Sequence, residues 1–260
     1  MGTGGTDRGI SYRTAIVAGR AVVLAVFLLA FSNAASAAPK STIEKADGLY
    51  ERRYDIKNVY EAIGLLEAVT VIEPGDYDAS WRLARIFWFM GDKATGRERV
   101  ALFEKSRQFA EAAVRSGAGL VEGHYWLASS YGSLALEKGL FTMLFAIPVV
   151  RGHIEDCIRI DDSFADAHNL YALFLWKLPG MLGGDIARAI EEAGIAVRLE
   201  PKNPAFWGVL GGVLEAGGRY AEARRAFAKV LSLPVRTDDP IEDERFRKEA
   251  REALARMEGK

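Results

Sequence analysis

From about residue 40 onward, apolar residues recur three and four positions apart, the spacing of amphipathic helices, and no stretch carries a strand signal worth naming. The same pattern repeats on a longer scale. One copy reads Trp207, Leu210, Gly211 and Leu214, then Gly218, Ala223, Phe227 and Val230. Another reads Ala46, Leu49 and Tyr50, then Ala62, Leu66, Val69 and Pro74. Three more copies keep the core marks: Leu83-Ala84 with Phe87, Leu127-Ala128 with Tyr131, and Tyr171-Ala172 with Leu175, the last followed by Ala189, Ala193, Ala196 and Pro201. Aligned on one position, Ala46, Ser80, His124, His168 and Trp207 are equivalent, at spacings of 34, 44, 44 and 39 residues. Each copy predicts a pair of helices. A small residue on the first lets the second approach closely. A proline ends the second, because it cannot continue the hydrogen-bond ladder.

This arrangement is similar to the tetratricopeptide pattern, whose bare period is 34 residues. The expected fold is all-α: a superhelix of about five helix pairs, with insertions in repeats two, three and four, spanning residues 38–234. Residues 235–260 read as a linker and a capping helix. Asp239-Pro240-Ile241-Glu242 has the form of an N-cap, an N1 proline and an N3 carboxylate. Ile241, Phe246, Ala250, Ala253, Leu254 and Met257 are expected on one apolar face, as a polar-backed terminal helix must cover the last repeat.

Composition narrows the function. Half of the 260 residues are hydrophobic and 27% charged, and 34 basic against 35 acidic residues give a net charge of −1. A binder living on phosphate contacts is usually basic, so nucleic acid is not an expected partner. One cysteine, Cys157, allows no intrachain disulfide and no multi-cysteine metal site. It falls at a small-residue core position and reads as inert. His124 and His168 hold equivalent positions and could face each other, but no third ligand pattern accompanies them, so no metal site is expected. Gly183-Gly184-Asp185 lacks the lysine and preceding strand of a phosphate loop; Asp185 reads as the N-cap of a helix from Ile186. No catalytic constellation stands out, and neither enzyme activity nor a cofactor is expected.

The first 37 residues read as an export signal. Arg8, Arg13 and Arg20 precede an 11-residue apolar run, Ala21 to Phe31, and an Ala35-Ser36-Ala37 site. The run is short for a membrane span, which takes about 20 residues. Cleavage after Ala37 leaves a periplasmic or secreted protein without a transmembrane span; an uncleaved anchor is the alternative.

Two further segments carry a finer resemblance. Gly123-His124-Tyr125-Trp126-Leu127-Ala128-Ser129-Ser130-Tyr131-Gly132 is one, and Leu178-Pro179-Gly180-Met181-Leu182-Gly183-Gly184-Asp185 with Ala187 and Ala189 the other. Together they resemble the periplasmic T component associated with TRAP transporters. Similar sequences occur among bacterial repeat proteins and the eukaryotic regulators of microtubule dynamics. The resemblance implies a helical scaffold that pairs with a transporter's solute-binding subunit, without a lipid anchor here because the cleavage region has no cysteine.

The concave face of such a superhelix is lined mainly by first-helix side chains. The expected binding residues are Trp81, Arg85, Trp88, Tyr125, Ser129, Asn169, Trp176 and Lys177. Tryptophans with a few polar groups suit a protein partner or a small hydrophobic ligand; the same residues read equally well as core. Homo-oligomerisation is left open. The apolar insertion Gly139–Val150 reads either as a helix bent near Pro148 and packed under repeat four, or as a cleft wall or contact surface.

Overall fold

The computed structural model describes residues 40–236 and 240–259. The proposed export signal and the proposed N-cap Asp239 lie outside the described residues. The chain forms α1 (residues 40–50), α2 (Ile56–Ile72), α3 (Tyr77–Lys93), α4 (Gly96–Ser116), α5 (Val121–Lys138), α6 (Leu140–Ile160), α7 (Ala165–Lys177), α8 (Ile186–Leu199), α9 (Pro204–Ala216), α10 (Tyr220–Ser232) and α11 (Pro240–Arg256). Consecutive helices pack as antiparallel pairs, and the pairs stack into a tetratricopeptide-like superhelix.

Local chemistry sets the boundaries. Asp55, Asp76, Asp185 and Asn203 each accept a hydrogen bond from a backbone N–H of the helix they open, satisfying one orphan donor apiece. Pro204 follows Asn203 at the first turn, where its missing N–H costs nothing. The small residues fit the expected role. A Cβ on Gly91 would stand 2.6 Å from the Phe103 ring, and one on Gly211 2.7 Å from the Phe227 ring. Each glycine therefore lets an aromatic of the second helix lie against the backbone of the first.

The extra residues of the long repeats lengthen helices. α4, α5 and α6 have 21, 18 and 21 residues, against 13 or 14 in α7 to α10. α6 continues through Pro148. In repeat four the addition is a short 3₁₀ turn, Gly180–Leu182, between α7 and α8. The core runs the length of the stack, with Leu66, Leu83, Ile86, Phe103, Ile154, Tyr171 and Phe206 fully buried. Each buried aliphatic or Phe side chain is worth about 1.5–3 kcal/mol.

α11 caps the stack with Ala250, Ala253 and Met257 buried against Ala223, Phe227 and Val230 of α10, and with Phe246 and Leu254 beside them. Ile241 is not part of that face: it is 54% exposed. Five residues from Phe246, it is turned away by about 140° at 100° per residue. The inward group at this end is Asp243, which accepts from the Arg236 backbone N–H at 2.7 Å and from its Nε at 2.9 Å. The start of the cap is thus held by an ion pair.

The superhelix also meets itself. Lys93 Nζ at the end of α3 lies 2.5 Å from Glu242 Oε1 at the start of α11. Burial works against both charges, but the pairing outweighs it. Hydrogen bonds to Glu242 and Asp92 raise the Lys93 pKa, and Lys93 with Arg245 lowers that of Glu242.

Candidate functional site

The concave side holds a half-open cavity of about 640 Å³. α3 contributes Trp88 and Phe89. α5 contributes Tyr125, Trp126, Ser129 and Ser133. α7 contributes Asp166, Asn169, Leu173, Phe174 and Lys177. α6 supplies a wall of Met143, Ala146, Ile147 and Val150, and α11 closes the far side with Arg245 and Phe246.

Five of the eight expected residues therefore share one cavity: Trp88, Tyr125, Ser129, Asn169 and Lys177. The other three lie elsewhere. Arg85 sits 4.0 Å from the Tyr50 ring centroid and donates to Asp47 of α1 at 2.7 Å. Trp81 donates to Asp78 and is covered by Arg82, which itself bonds Asp47. Both belong to the junction between repeats one and two. Trp176 packs against Gly212 of α9, where a Cβ would meet its ring at 2.4 Å, with the Lys177 ammonium 3.7 Å from its ring centroid. No common floor of Trp81, Trp88 and Trp176 exists.

Trp88 is both wall and structure. Its Nε1 donates to Ser133 Oγ at 3.0 Å, and its ring lies 5.8 Å from that of Trp126. Trp126, in turn, meets Tyr125 edge-on at 4.9 Å. Trp126 and the α6 wall are absent from the repeat-position set. Residues 140–150 form the first half of α6, and its faces differ. Met143, Ala146, Ile147 and Val150 follow i, i+3, i+4, i+7 spacing and line the cavity. Phe141, Leu144 and Phe145 point outward, the two phenylalanines 82% and 78% exposed. Among the described residues no helix is long and apolar enough to cross a membrane.

A small polar group lies within the apolar lining. Burial, then the charge of Glu200, pushes the Asp166 carboxyl up to about 6. Burial, then Asp166, raises the Tyr125 phenol well above its ordinary value. One turn further along α7, the buried Asn169 Oδ1 has no hydrogen-bond partner within the protein. Asp166 gives a pH-dependent prediction. Its folded value of about 6 exceeds the unfolded 3.8. The folded chain holds this proton more tightly, so the favourable contribution is complete below about 3.8 and is lost as pH rises through about 6. Asp166→Asn, which mimics the protonated acid, should stabilise the protein by about 1–2 kcal/mol at pH 7.5 and not at pH 4. Thermal melts at the two pH values check this; an equal effect at both would contradict it.

The two equivalent histidines do not face each other. Each bonds through Nε2 to the carbonyl six residues upstream, His124 to Ala118 at 3.1 Å and His168 to Asp162 at 3.0 Å. Both rings thereby latch the loop before their own helix. Nδ1 then meets a neighbour from the paired helix: His153 for His124, and Glu192 at 2.7 Å for His168, whose pKa is raised chiefly by that bond. Cys157 is buried, its thiol pushed up to about 12 by burial, so it carries no thiolate at neutral pH.

The family model for regulator of microtubule dynamics protein 1-3 matches residues 42–181, more than half the chain. The chain belongs to that family. The matched region runs from α1 to the 3₁₀ turn, so the family segment carries most of the cavity wall, and α9 and α11 complete it from outside. No curated protein sequence matches the chain. Among solved structures, TTC0263, a tetratricopeptide-repeat protein of Thermus thermophilus, aligns over 84% of this chain and 100% of its own, at 21% identity and a TM-score of 0.60. The pilF protein of Pseudomonas aeruginosa aligns over 86% and 94%, at 15% identity and a TM-score of 0.56. At these identities the two structures establish the fold.

Proposed function

We propose that the protein is an exported, non-catalytic repeat scaffold that receives a segment of a partner protein in the concave cavity. The supporting observation is the cavity itself: half-open, mostly apolar, walled by Trp88, Trp126, Phe174 and Phe246, with Arg53, Lys93, Glu242 and Arg245 among its charged lining. Aromatic pockets inside a polar rim are where protein interfaces concentrate their binding energy. The resemblance around Leu178–Asp185 supports a transporter's solute-binding subunit as the partner. The family description points instead to a microtubule-related partner. The export signal read in residues 1–37 favours the first, since microtubules are cytosolic.

A second reading is direct binding of a small apolar or amphipathic molecule. The observation in its favour is size: about 640 Å³ is within the roughly 300–1,000 Å³ of small-molecule pockets. One substitution tests both. Leu173→Arg places a charge on the cavity wall, and Met181→Arg, at a fully exposed position, is its control. Partner recovered after crosslinking should fall about tenfold or more with Leu173→Arg and stay unchanged with Met181→Arg, both variants melting cooperatively. An amphiphile extracted in stoichiometric amount from the parent and absent from Leu173→Arg would establish the second reading. Undiminished partner capture by Leu173→Arg would overturn the first.

A further inference from the structure

Outside the cavity lining, α5 and α6 bring three ligand-type side chains together. His124 Nδ1 lies 2.9 Å from His153 Nδ1 and 3.4 Å from Asp156 Oδ2; His153 Nδ1 lies 3.9 Å from the same oxygen. His153 and Asp156 are one turn apart on α6 and share a face. His124 comes across from α5.

The hydrogen-bond directions decide what this group can hold. The Ala118 carbonyl only accepts, so the His124 Nε2 it contacts carries the ring proton. The Nδ1 lone pair is then turned toward His153 and Asp156. A proton on His153 Nδ1 satisfies one of these contacts, but the Asp156 carboxylate still faces a lone pair at 3.4 Å. A cation at the centre answers all three. An imidazole fixed by a backbone carbonyl on one nitrogen and ligating through the other is the usual setting of a metal-bound histidine. Asp156 is divided in the same way: Oδ1 takes Arg159 at 2.6 Å, and Oδ2 is the atom that points inward.

We propose that His124, His153 and Asp156 form a binding site for a divalent transition-metal ion of the zinc type, tying α5 to α6. Ligand atoms of a tetrahedral ion with bonds of about 2.05 Å stand about 3.3 Å apart; the separations of 2.9, 3.4 and 3.9 Å bracket that spacing. Two imidazoles and one carboxylate select zinc-type ions over magnesium or calcium. The His153 side chain is 22% exposed and that of Asp156 35%, so an ion reaches the site from solvent. Three protein ligands leave a fourth position open to water or to an external donor. The site replaces the sequence expectation of no metal. That expectation paired His124 with the wrong histidine, because His153 lies in the long repeat-three helix, outside the aligned repeat positions.

The test is a titration of the full, tag-free chain with Co(II), then displacement by Zn(II). One Co(II) per chain should bind with the visible absorption of a four- or five-coordinate ion, and Zn(II) should remove it. His153→Gln and Asp156→Asn should each weaken binding more than about tenfold, and His168→Gln should leave it unchanged. Circular dichroism confirms folding, and Asp156→Asn, which preserves side-chain shape, decides the matter if His153→Gln does not fold. Absence of a Co(II) signal at excess metal overturns the proposal. So does parent-like affinity in Asp156→Asn, or loss of binding in His168→Gln alone.

Discussion

Removing residues 240–260 should destabilise the protein by about 4 kcal/mol and open its cavity. The truncation strips the cover from Leu214, Ala223, Phe227 and Val230, which pack with Ala250, Ala253 and Met257 in the intact chain. At about 25 cal/mol per Å², re-exposing one helix-sized apolar interface reaches that size. The Asp243 pair with Arg236 and the Glu242 pair with Lys93 vanish with it. These add less, since Lys93 is substantially exposed and surface pairs are worth about 1 kcal/mol or below. Urea melts of the two forms, with binding of a dye that reports exposed apolar surface, check the expectation. Coincident midpoints with no rise in dye binding would show that α11 does not cap the stack.

Gly184→Ala should cost about 3 kcal/mol, the upper part of the usual range for overpacking. A Cβ there would stand 1.9 Å from the Leu178 carbonyl oxygen, 2.7 Å from its carbon and 3.1 Å from the Leu175 oxygen. These are backbone atoms, so no rotamer change relieves the clash. The segment cannot step aside cheaply either. Gly184 N donates to Pro179 O and Asp185 N to Leu175 O, each at 3.1 Å, while Asp185 caps α8 through Arg188 N at 3.0 Å. Gly180→Ala is the control: nothing lies within 4 Å of its Cβ position, and it should fall within about 0.5 kcal/mol of the parent. Equal denaturation midpoints for the two variants would refute this account of the junction.

Much of the architecture was legible because its determinants are local. Ala, Gly and large residues at fixed offsets report the closeness of paired helices, as Gly211 under Phe227 illustrates. Asp185 was legible as a cap for the same reason. The candidate site was legible only where a residue's repeat position determines its direction, as for Trp88, Tyr125 and Asn169. Trp81 and Trp88 leave α3 on the same side, yet Arg82, paired with Asp47 of α1, covers the first and α5 residues meet the second. Periodicity along one helix cannot report which neighbour arrives. The α6 wall comes from an insertion that breaks the repeat phase. His124 meets His153 rather than His168 because α6, not α7, is the helix that packs along α5. Arg245 and Phe246 reach the cavity only because the stack curves back on itself.

That curvature, fastened by Lys93 and Glu242 across 149 residues of chain, changes how the molecule should respond to force and to heat. An open stack is a spring: it lengthens by small slips at each joint, and its end units fray independently. Here the clasp joins an early helix to the terminal one, so stretching the stack must first open the ring. The contact has the sequence separation of a late folding event, since long loops close at an entropic cost. A pair this exposed is worth about 1 kcal/mol or below, so the clasp opens readily and leaves the helix interfaces to carry most of the load.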